Sequence, residues 1–510
     1  MGRWRLRELI LISSLCCSTS ASAIGQHEED ETCARWTNEG MEAMQNGDVS
    51  AAVALFAEGA RRHSSDSSMW MNTAVAQASL LGARQVTPGE QIKLYCEARA
   101  AAHLALRAGS DVAAELLQSI ESEFAASVQQ VAAEANTELR CPYGDMLPEL
   151  RRIVDARRTE GENLNLYLQA VRTGCDAKSL VVQLRDSNHG QGVADSKISA
   201  SDLLAISSLL DACGVVAITN AHSQTTIDRA REAQMNHYSR INRTELEQHG
   251  ARKSATSGRS SEFSDMALRG DRRRVEATLP LIPTFNEIIA APAMLSIVES
   301  VMHDRDIEVD THSYVHAEPG SPQQPWHRDV DFLYGAEAEA TGSQTLAHHT
   351  THGVVAVVPL VDLEASNGAT EFILGSHVHP SVLGQGLDLW DGELGTAHWE
   401  GKPLLSHTKI LVPRGSVVLF DLRITHRGGP NHSESPRSVL YTSYVREWFR
   451  DAVNFKSLQS AWWDGLRSER LQKLFARVDG RDYTQHLERL LKEKGIDVNT
   501  DLLWQRDTIQ

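Results

Sequence analysis

Short runs of β-branched residues, separated by turns that contain Pro or Gly, fill the chain between residues 307 and 445. The run Ile307 to Val315 alternates Ile, Val, Thr and Ser with charged or polar residues, as in a strand with one buried face. Gly353 to Val358 is apolar throughout, which indicates a buried strand. The remaining predicted strands are Ile410 to Val412, Ser416 to Phe420 and Ser438 to Val445. Many short strands with such turns predict a β-sandwich or jelly roll.

A histidine and a carboxylate lie two residues apart in this region, at His327 and Asp329. Positions i and i+2 of an extended strand point to the same face, so one imidazole and one carboxylate can reach a single metal ion. A third ligand follows about a hundred residues later, at His426. Two histidines and one carboxylate form the facial triad of non-haem Fe(II) oxygenases, which leaves three coordination positions open. We therefore expect Fe(II) here, with a chelating cosubstrate and dioxygen as the other reactants.

An arginine, Arg437, lies eleven residues after His426. The intervening sequence contains Gly428, Gly429, Pro430 and Pro436, which predicts a turn. A hairpin with the strand from Ser438 would bring Arg437 close to the metal face. An Arg side chain forms a two-pronged contact with a carboxylate, so Arg437 could hold the distal carboxylate of 2-oxoglutarate.

Three segments resemble the phytanoyl-CoA dioxygenase family of Fe(II)/2-oxoglutarate oxygenases: Pro325 to Asp329, Asn367 to His377, and Phe420 to Arg437. The stretch Asp211 to Ile218 resembles the start of the same domain. The resemblance covers roughly residues 200–450 and implies a double-stranded β-helix (jelly roll) core with flanking helices.

By position, the resemblance implies that His327, Asp329 and His426 bind iron and that Arg437 binds 2-oxoglutarate. Halogenases of the family lack the carboxylate, so Asp329 implies hydroxylation. Family members often carry a hydroxyl residue where this chain has Gly428, which leaves the contacts to the other end of 2-oxoglutarate unassigned.

The alanine-rich region from residue 33 to 140 is predicted to be helical and shows a weak repeat. Trp36 and Trp70 lie 34 residues apart, which is the period of the tetratricopeptide repeat. In that interpretation Gly40 and Phe56 pack between the two helices of one hairpin. A longer loop is expected at 82–89, with the next helix resuming at Cys96 to Arg107. A generic helical bundle is the alternative; a true repeat would offer a surface for a peptide or protein partner.

The N-terminus combines Arg3, Arg5 and Arg7, a short apolar run and Ala21-Ser22-Ala23, which predicts a cleaved secretory signal at residues 1–23. An organelle transit peptide is the alternative. The five cysteines beyond the leader are an odd number, so at least one thiol is free or pairs between chains.

The formal net charge is −17, which argues against nucleic-acid or anionic-membrane partners. No later stretch of the sequence is apolar enough over a sufficient length to span a membrane. The densest basic run, Arg272 to Arg274, is interpreted as a solvated turn.

Together these observations predict an α+β multidomain protein. Its expected parts are a signal peptide (1–23), a tetratricopeptide-like domain (33–140), a helical linker region (141–195), a dioxygenase domain (196–450) and a C-terminal helical extension (451–510). The expected activity is hydroxylation of a C–H bond in a small-molecule or lipid-like substrate, with release of succinate and CO2. Two alternatives stay open: a peptidyl hydroxylase of the secretory pathway, and a binding protein that has lost activity.

Overall fold

The structure is a computed structural model that describes residues 27–81, 86–110, 112–134, 141–142, 146–157, 170–171, 173–175, 178–184, 198–240, 266–269, 273–278, 282–330, 351–378, 396–399, 402–449 and 468–476. The predicted signal peptide at 1–23 lies outside these residues, as does most of the predicted C-terminal extension.

The described helices are α1 His27–Gln45, α2 Val49–Arg62, α3 Ser67–Leu81, α4 Pro88–Arg107, α5 Ala113–Glu134, α6 Met146–Arg157, α7 Ala200–Cys213, α8 Gln224–Ser239, α9 Pro283–Ile289, α10 Pro292–Met302 and α11 Glu469–Leu474. The described strands are β1 Val181–Gln183, β2 Val215–Thr219, β3 Met266–Arg269, β4 Arg274–Thr278, β5 Ile307–Ala317, β6 Gly353–Pro359, β7 Thr370–Ile373, β8 Thr396–Trp399, β9 Lys402–Lys409, β10 Val417–Asp421, β11 His426–Gly428 and β12 Arg437–Arg446.

The chain divides into two compact units. The first comprises Met1–Arg152, Asp195–Asp211 and Pro292–Arg305; the second comprises Ile153–Ala194, Ala212–Ala291 and Asp306–Gln510. The first unit thus takes two segments from the predicted dioxygenase domain. They are tied in by polar contacts, since Ser64 Oγ donates to the Ser296 carbonyl (2.8 Å) and the hydroxyls of Ser207 and Ser300 lie 3.3 Å apart. The predicted domain boundaries themselves stay predictions.

Close packing of a glycine on an aromatic ring joins α1 and α2. A Cβ placed on Gly40 would lie 2.5 Å from the ring of Phe56, which is buried. This is the contact that the repeat interpretation expects between the two helices, although the repeat itself stays a prediction.

The fourth helix begins earlier than its sequence suggested. Thr87 and Glu90 form a capping box, in which the Thr87 side chain accepts from the Glu90 N–H and the Glu90 side chain accepts from the Thr87 N–H. Pro88 occupies the first turn, where its missing N–H has no consequence. The predicted loop at 82–89 therefore ends at Thr87, and α4 begins eight residues before Cys96.

The second unit is built on two sheets. The larger has the strand order β1-β2-β10-β6-β12-β5-β4-β3, and the smaller has the order β11-β7-β9-β8. Phe372 of β7 and Phe420 of β10 bring the sheets into contact, with ring centroids 5.1 Å apart. This confirms the predicted sandwich as two packed sheets; the finer assignment as a double-stranded β-helix stays a prediction.

The apolar runs predicted as strands appear as β5, β6, β10 and β12, each within two residues at either end. The strand predicted at Ile410 to Val412 is wrong, because β9 ends at Lys409. Ile410 and Val412 are buried and make single backbone hydrogen bonds to Thr370 and Leu363, but they form no ladder. Turn formation at Pro413 explains this, since proline has no N–H to donate.

Two disulfides cross-link the chain, Cys96–Cys141 in the first unit and Cys175–Cys213 in the second. They account for four of the five cysteines beyond the predicted leader. Among the described helices, none is by itself long and apolar enough to cross a membrane; only α9 and α10 taken together reach the necessary length and composition.

The Gly40–Phe56 contact predicts an unusual response to alanine. A helical Gly→Ala change normally stabilises by about 0.5–1 kcal/mol. At Gly40 the added methyl meets the Phe56 ring, so we expect Gly40→Ala to destabilise by about 1–3 kcal/mol through overpacking. Gly89→Ala in α4 is the control, because an added Cβ there meets nothing within 4 Å and should be neutral or stabilising. Urea unfolding of the two variants measures the difference; equal effects would contradict this packing.

Candidate metal centre

A pair of backbone hydrogen bonds brings the two histidines of the predicted site together. The N–H of His327 donates to the carbonyl of His426 (3.0 Å), and the N–H of His426 donates back (2.9 Å). Three residues before His327 and two residues after His426, the Gln324 N–H donates to the Gly428 carbonyl (2.9 Å). Residues 324–327 therefore run antiparallel beside β11, which also pairs with β7.

The side chain of Asp329 is brought to the two histidines by a bend in the chain and not by continuation of a strand. Only His327 forms a bridge, and the N–H of Asp329 donates to the carbonyl of Leu422 (3.2 Å). The simple strand geometry expected for His327 and Asp329 is therefore replaced by a turn that depends on the β10–β11 connection. The result is the same convergence of side chains.

Three possible ligand atoms face one another. Asp329 Oδ1 lies 4.0 Å from His327 Nε2 and 3.8 Å from His426 Nε2. All three atoms lie within 4.8 Å of one another, and no other such group occurs among the described residues. The structure thus brings together the three side chains that the sequence predicted as metal ligands.

The other nitrogen of each imidazole is committed to the backbone. His327 Nδ1 donates to the Pro325 carbonyl (2.9 Å), and His426 Nδ1 donates to the Ile424 carbonyl (3.1 Å). Because a carbonyl can only accept, both Nδ1 atoms carry the proton and both Nε2 atoms keep a free lone pair. Burial lowers the pKa of His426, which favours the neutral form that binds metals. The donor set therefore fits a cation such as Fe(II).

Tyr441 binds the far oxygen of the carboxylate. Its hydroxyl donates to Asp329 Oδ2 at 2.6 Å, which leaves Oδ1 directed toward the imidazoles. Burial, followed by the charge of Asp329, raises the pKa of Tyr441 well above its usual value. Sequence analysis missed this residue. The available signal was its position four residues after Arg437 on one strand, where both side chains share a face.

Arg437 lies on the interior face of β12, but not by the predicted hairpin. β11 and β12 belong to opposite sheets, and β12 pairs with β5 and β6. The hairpin expectation is wrong because the turn after Gly428 crosses from one sheet to the other. Arg437 is 4% exposed, and its Nε has no hydrogen-bond partner among the described residues.

A second arginine, Arg274 of β4, accompanies Arg437. Both residues pair with Ala317 of β5, one from each side, so their side chains lie in one row on the same face of the sheet. Arg274 is 1% exposed; its Nη2 donates to the Pro322 carbonyl (3.1 Å), whereas its Nε has no hydrogen-bond partner among the described residues. Burial, and then the charge of Arg274, lowers the pKa of Arg437 to about 9. Two buried neighbouring cations are costly unless an anion joins them.

The solvated-turn interpretation of the basic run is therefore wrong for Arg274. Arg273 does fit it, since that residue is exposed and donates to the Pro319 carbonyl (2.9 Å). Sequence alone could not separate the two, because the start of β4 falls between them and β4 alternates its faces.

The position of Gly428 leaves no room for a side chain. A Cβ at this position would lie 2.6 Å from Gln324 Oε1 and 3.5 Å from Arg274 Nη2. Gln324 Oε1 accepts a hydrogen bond from the Gly428 N–H (2.8 Å). The Gln324 amide thus lies where a hydroxyl side chain at position 428 would have been, beside the buried arginine.

Residues next to the two histidines form a charged ladder on the opposite face of the smaller sheet. The Arg427 guanidinium lies 4.2 Å from the centre of the Trp326 ring, and its Nε donates to Glu371 (2.7 Å). Lys409 binds the other oxygen of Glu371 at 3.1 Å. Burial alone would raise the pKa of Glu371, but the hydrogen bonds from Arg427 and Lys409 outweigh it and lower that pKa. Cross-strand contacts of this kind hold the ligand-bearing segments in register.

A buried ion pair shapes the turn between β10 and β11. Arg423 donates from Nε to Asp421 Oδ1 (2.8 Å) and from Nη2 to Oδ2 (2.7 Å). Burial opposes ionisation of Asp421, but the Arg423 charge dominates and holds the pKa of this carboxyl well below its usual range. The same turn supplies the Leu422 carbonyl that binds Asp329 and leads into His426. It therefore positions two of the three candidate ligands.

Comparison with known proteins supports the family resemblance. Residues 210–439 match the model of the phytanoyl-CoA dioxygenase family. Dioxygenase cdmA of Talaromyces verruculosus is 29% identical over 158 residues, which are 30% of this chain and 46% of that protein. The chain thus spans about half the length of this curated relative.

Among solved structures, AviO1 from Streptomyces viridochromogenes Tue57 is 19% identical and covers 49% of this chain and 96% of its own (TM-score 0.34). The non-haem alpha-ketoglutarate-dependent carbocyclase SnoK from nogalamycin biosynthesis is 16% identical and covers 51% of this chain and 90% of its own (TM-score 0.33). The similarity to the phytanoyl-CoA dioxygenase family thus falls on residues 210–439, the part of the chain that the family model matches.

Proposed function

We propose that this chain is an Fe(II)- and 2-oxoglutarate-dependent dioxygenase that hydroxylates a C–H bond of a small-molecule or lipid-like substrate. The observation that carries the proposal is the convergence of His327 Nε2, Asp329 Oδ1 and His426 Nε2 in a family domain of this type. The buried pair Arg274 and Arg437 supports it, because the pair supplies the positive charge that an anionic cosubstrate needs.

Bound iron would couple the oxidative decarboxylation of 2-oxoglutarate, which yields succinate and CO2, to the insertion of one oxygen atom of O2 into a C–H bond. The protein's own contribution is positioning. Backbone carbonyls of Pro325 and Ile424 orient the two imidazoles, and Tyr441 orients the carboxylate. Asp329 would occupy the coordination position that a halide takes in the halogenases of the family. Its presence therefore favours hydroxylation over halogenation.

Arg437 and Arg274 are proposed to bind the distal carboxylate of 2-oxoglutarate. An arginine can form two parallel hydrogen bonds with a carboxylate, and burial strengthens them because little water competes. Without an anion, the two guanidinium groups repel each other; burial first, and then this repulsion, lower the pKa of Arg437. Binding of a dianion such as 2-oxoglutarate would relieve this repulsion.

The His327 side chain is 38% exposed, whereas that of His426 is 6% exposed, so solvent reaches the candidate site on the His327 side. A peptide substrate in the secretory pathway is the second candidate. The two disulfides favour it, because such bonds persist in oxidising compartments, and secretory localisation is part of the same proposal. A partner on the N-terminal helices likewise stays a proposal.

Removal of the carboxylate should abolish turnover. We expect Asp329→Ala to lose high-affinity Fe(II) binding and to lower substrate-independent succinate release at least a hundredfold, because only two ligands remain. Asp306→Ala is the control, since Asp306 is an exposed aspartate that pairs with Lys473. Succinate release comparable to the unmodified protein in Asp329→Ala would contradict the assignment, and so would an intact protein that never releases succinate with any substrate pool.

The arginine pair should determine the affinity for 2-oxoglutarate without changing the affinity for Fe(II). We expect Arg437→Ala and Arg274→Ala each to raise the 2-oxoglutarate concentration needed for half-maximal succinate release by roughly 10–100-fold, the loss of charge-assisted hydrogen bonds worth about 1.5–3 kcal/mol. Fe(II) affinity should be retained. Arg273→Ala, one residue away and exposed, should change neither quantity. An unchanged 2-oxoglutarate requirement in Arg437→Ala refutes its role.

The substrate class is tested by a succinate-release screen over acyl-CoA and lipid, small-metabolite and peptide pools. Stimulation by the first two pools supports the proposal, whereas stimulation by peptides alone supports the peptidyl alternative. A binding protein without activity would respond to none of them and would release no succinate above background.

A further inference from the structure

Tyr441 has a contact that distinguishes it from Tyr314 and Tyr444, the two buried tyrosines among the described residues of the second unit. Its hydroxyl donates to a candidate metal ligand, Asp329 Oδ2, at 2.6 Å. The hydroxyls of Tyr444 and Tyr314 bind instead to the Ile289 carbonyl (2.7 Å) and to His237 Nδ1 (2.8 Å), neither of which is a candidate ligand.

The strand that carries Tyr441 is held on both sides. Tyr441 pairs with Ser313 of β5 and with Val357 of β6, at the centre of the larger sheet. Asp329, in contrast, lies in a bend outside any named strand, where its N–H donates to the Leu422 carbonyl. The rigid partner is therefore the phenol, and the adjustable partner is the carboxylate.

A carboxylate can bind a metal through one oxygen or through both. At Asp329 the two oxygens have different neighbours, since Oδ1 faces both imidazole Nε2 atoms and Oδ2 accepts from Tyr441. Turning Oδ2 toward the metal as well would lengthen or distort this short, charge-assisted hydrogen bond. The contact thus gives the two oxygens different roles: Oδ1 is available to a metal, and Oδ2 is held by Tyr441.

We propose that Tyr441 is a positioning residue of the metal centre, which holds Asp329 Oδ2 and so presents Oδ1 alone to the metal. This inference rests on the proposed function, because it concerns the same three ligands. Its consequence is that one coordination position, which a two-oxygen carboxylate would fill, stays open for the cosubstrate. Hydrogen bonds to metal ligands of this kind commonly change metal affinity 10–100-fold.

Tyr441→Phe tests the inference, with Tyr444→Phe as the matched control on the same strand. Each change removes one hydrogen-bonded hydroxyl and keeps the ring, so both should lower the stability of the metal-free protein by amounts of the same order. Metal binding is measured by anaerobic Fe(II) titration, and ligand geometry by the visible absorption spectrum of the Co(II)-loaded protein. Thermal unfolding of the metal-free variants verifies that both are folded.

We expect Tyr441→Phe to weaken Fe(II) binding by roughly 10–100-fold and to change the Co(II) spectrum, while Tyr444→Phe leaves both at the level of the unmodified protein. Equal Fe(II) affinity and an unchanged Co(II) spectrum in Tyr441→Phe would overturn the inference. An equal loss in Tyr444→Phe would also overturn it, since the effect would then come from packing. If the unmodified protein binds no Fe(II), the proposed function fails as well, which is a different result from either of these.

Discussion

The two backbone hydrogen bonds between His327 and His426 are the interaction on which the rest of the site depends. They join a segment without regular structure to the edge of the smaller sheet. They also bring the two imidazole rings to 4.5 Å between centroids, with Asp329 Oδ1 near the Nε2 atom of each. The neighbours of these histidines, Trp326 and Arg427, stack on each other, and Arg427 donates to Glu371. A ligand set drawn from positions about a hundred residues apart thereby becomes one rigid unit.

Three groups of buried charged side chains near the candidate metal centre have different roles. Asp421 and Arg423 satisfy each other and shape a turn. Glu371 is satisfied by Arg427 and Lys409 and holds strands together. Arg274 and Arg437, in contrast, are buried side by side with unpartnered Nε atoms. Structural ion pairs are complete within the protein, whereas a binding site keeps a charge for its ligand. This contrast is the physical argument for an anion beside the metal.

Sequence patterns predicted the strands, which follow from local periodicity, and the candidate ligands. They did not predict features that depend on residues far apart in the sequence. His327, Asp329 and His426 could be predicted to converge because their residue types and order resemble the ligand pattern of a known family, and the structure does bring them together. Their role as metal ligands stays a prediction. Arg274 could not be predicted in this way, because its burial follows from pairing with Ala317 across the sheet, and no local signal distinguishes it from exposed Arg273. Tyr441 was missed for a similar reason, since its partner lies 112 residues away. The hairpin to Arg437 failed because a turn between strands does not reveal that the strands belong to different sheets.

The central claim is that three side chains hold Fe(II) and that a buried arginine pair holds 2-oxoglutarate beside it. It is tested most directly by visible absorption under strict exclusion of oxygen, with Fe(II) and 2-oxoglutarate added in turn. The account predicts a weak charge-transfer band that appears only when both are present and is absent from a His426→Ala variant. Absence of the band in the unmodified protein at saturating Fe(II) and 2-oxoglutarate would contradict the account.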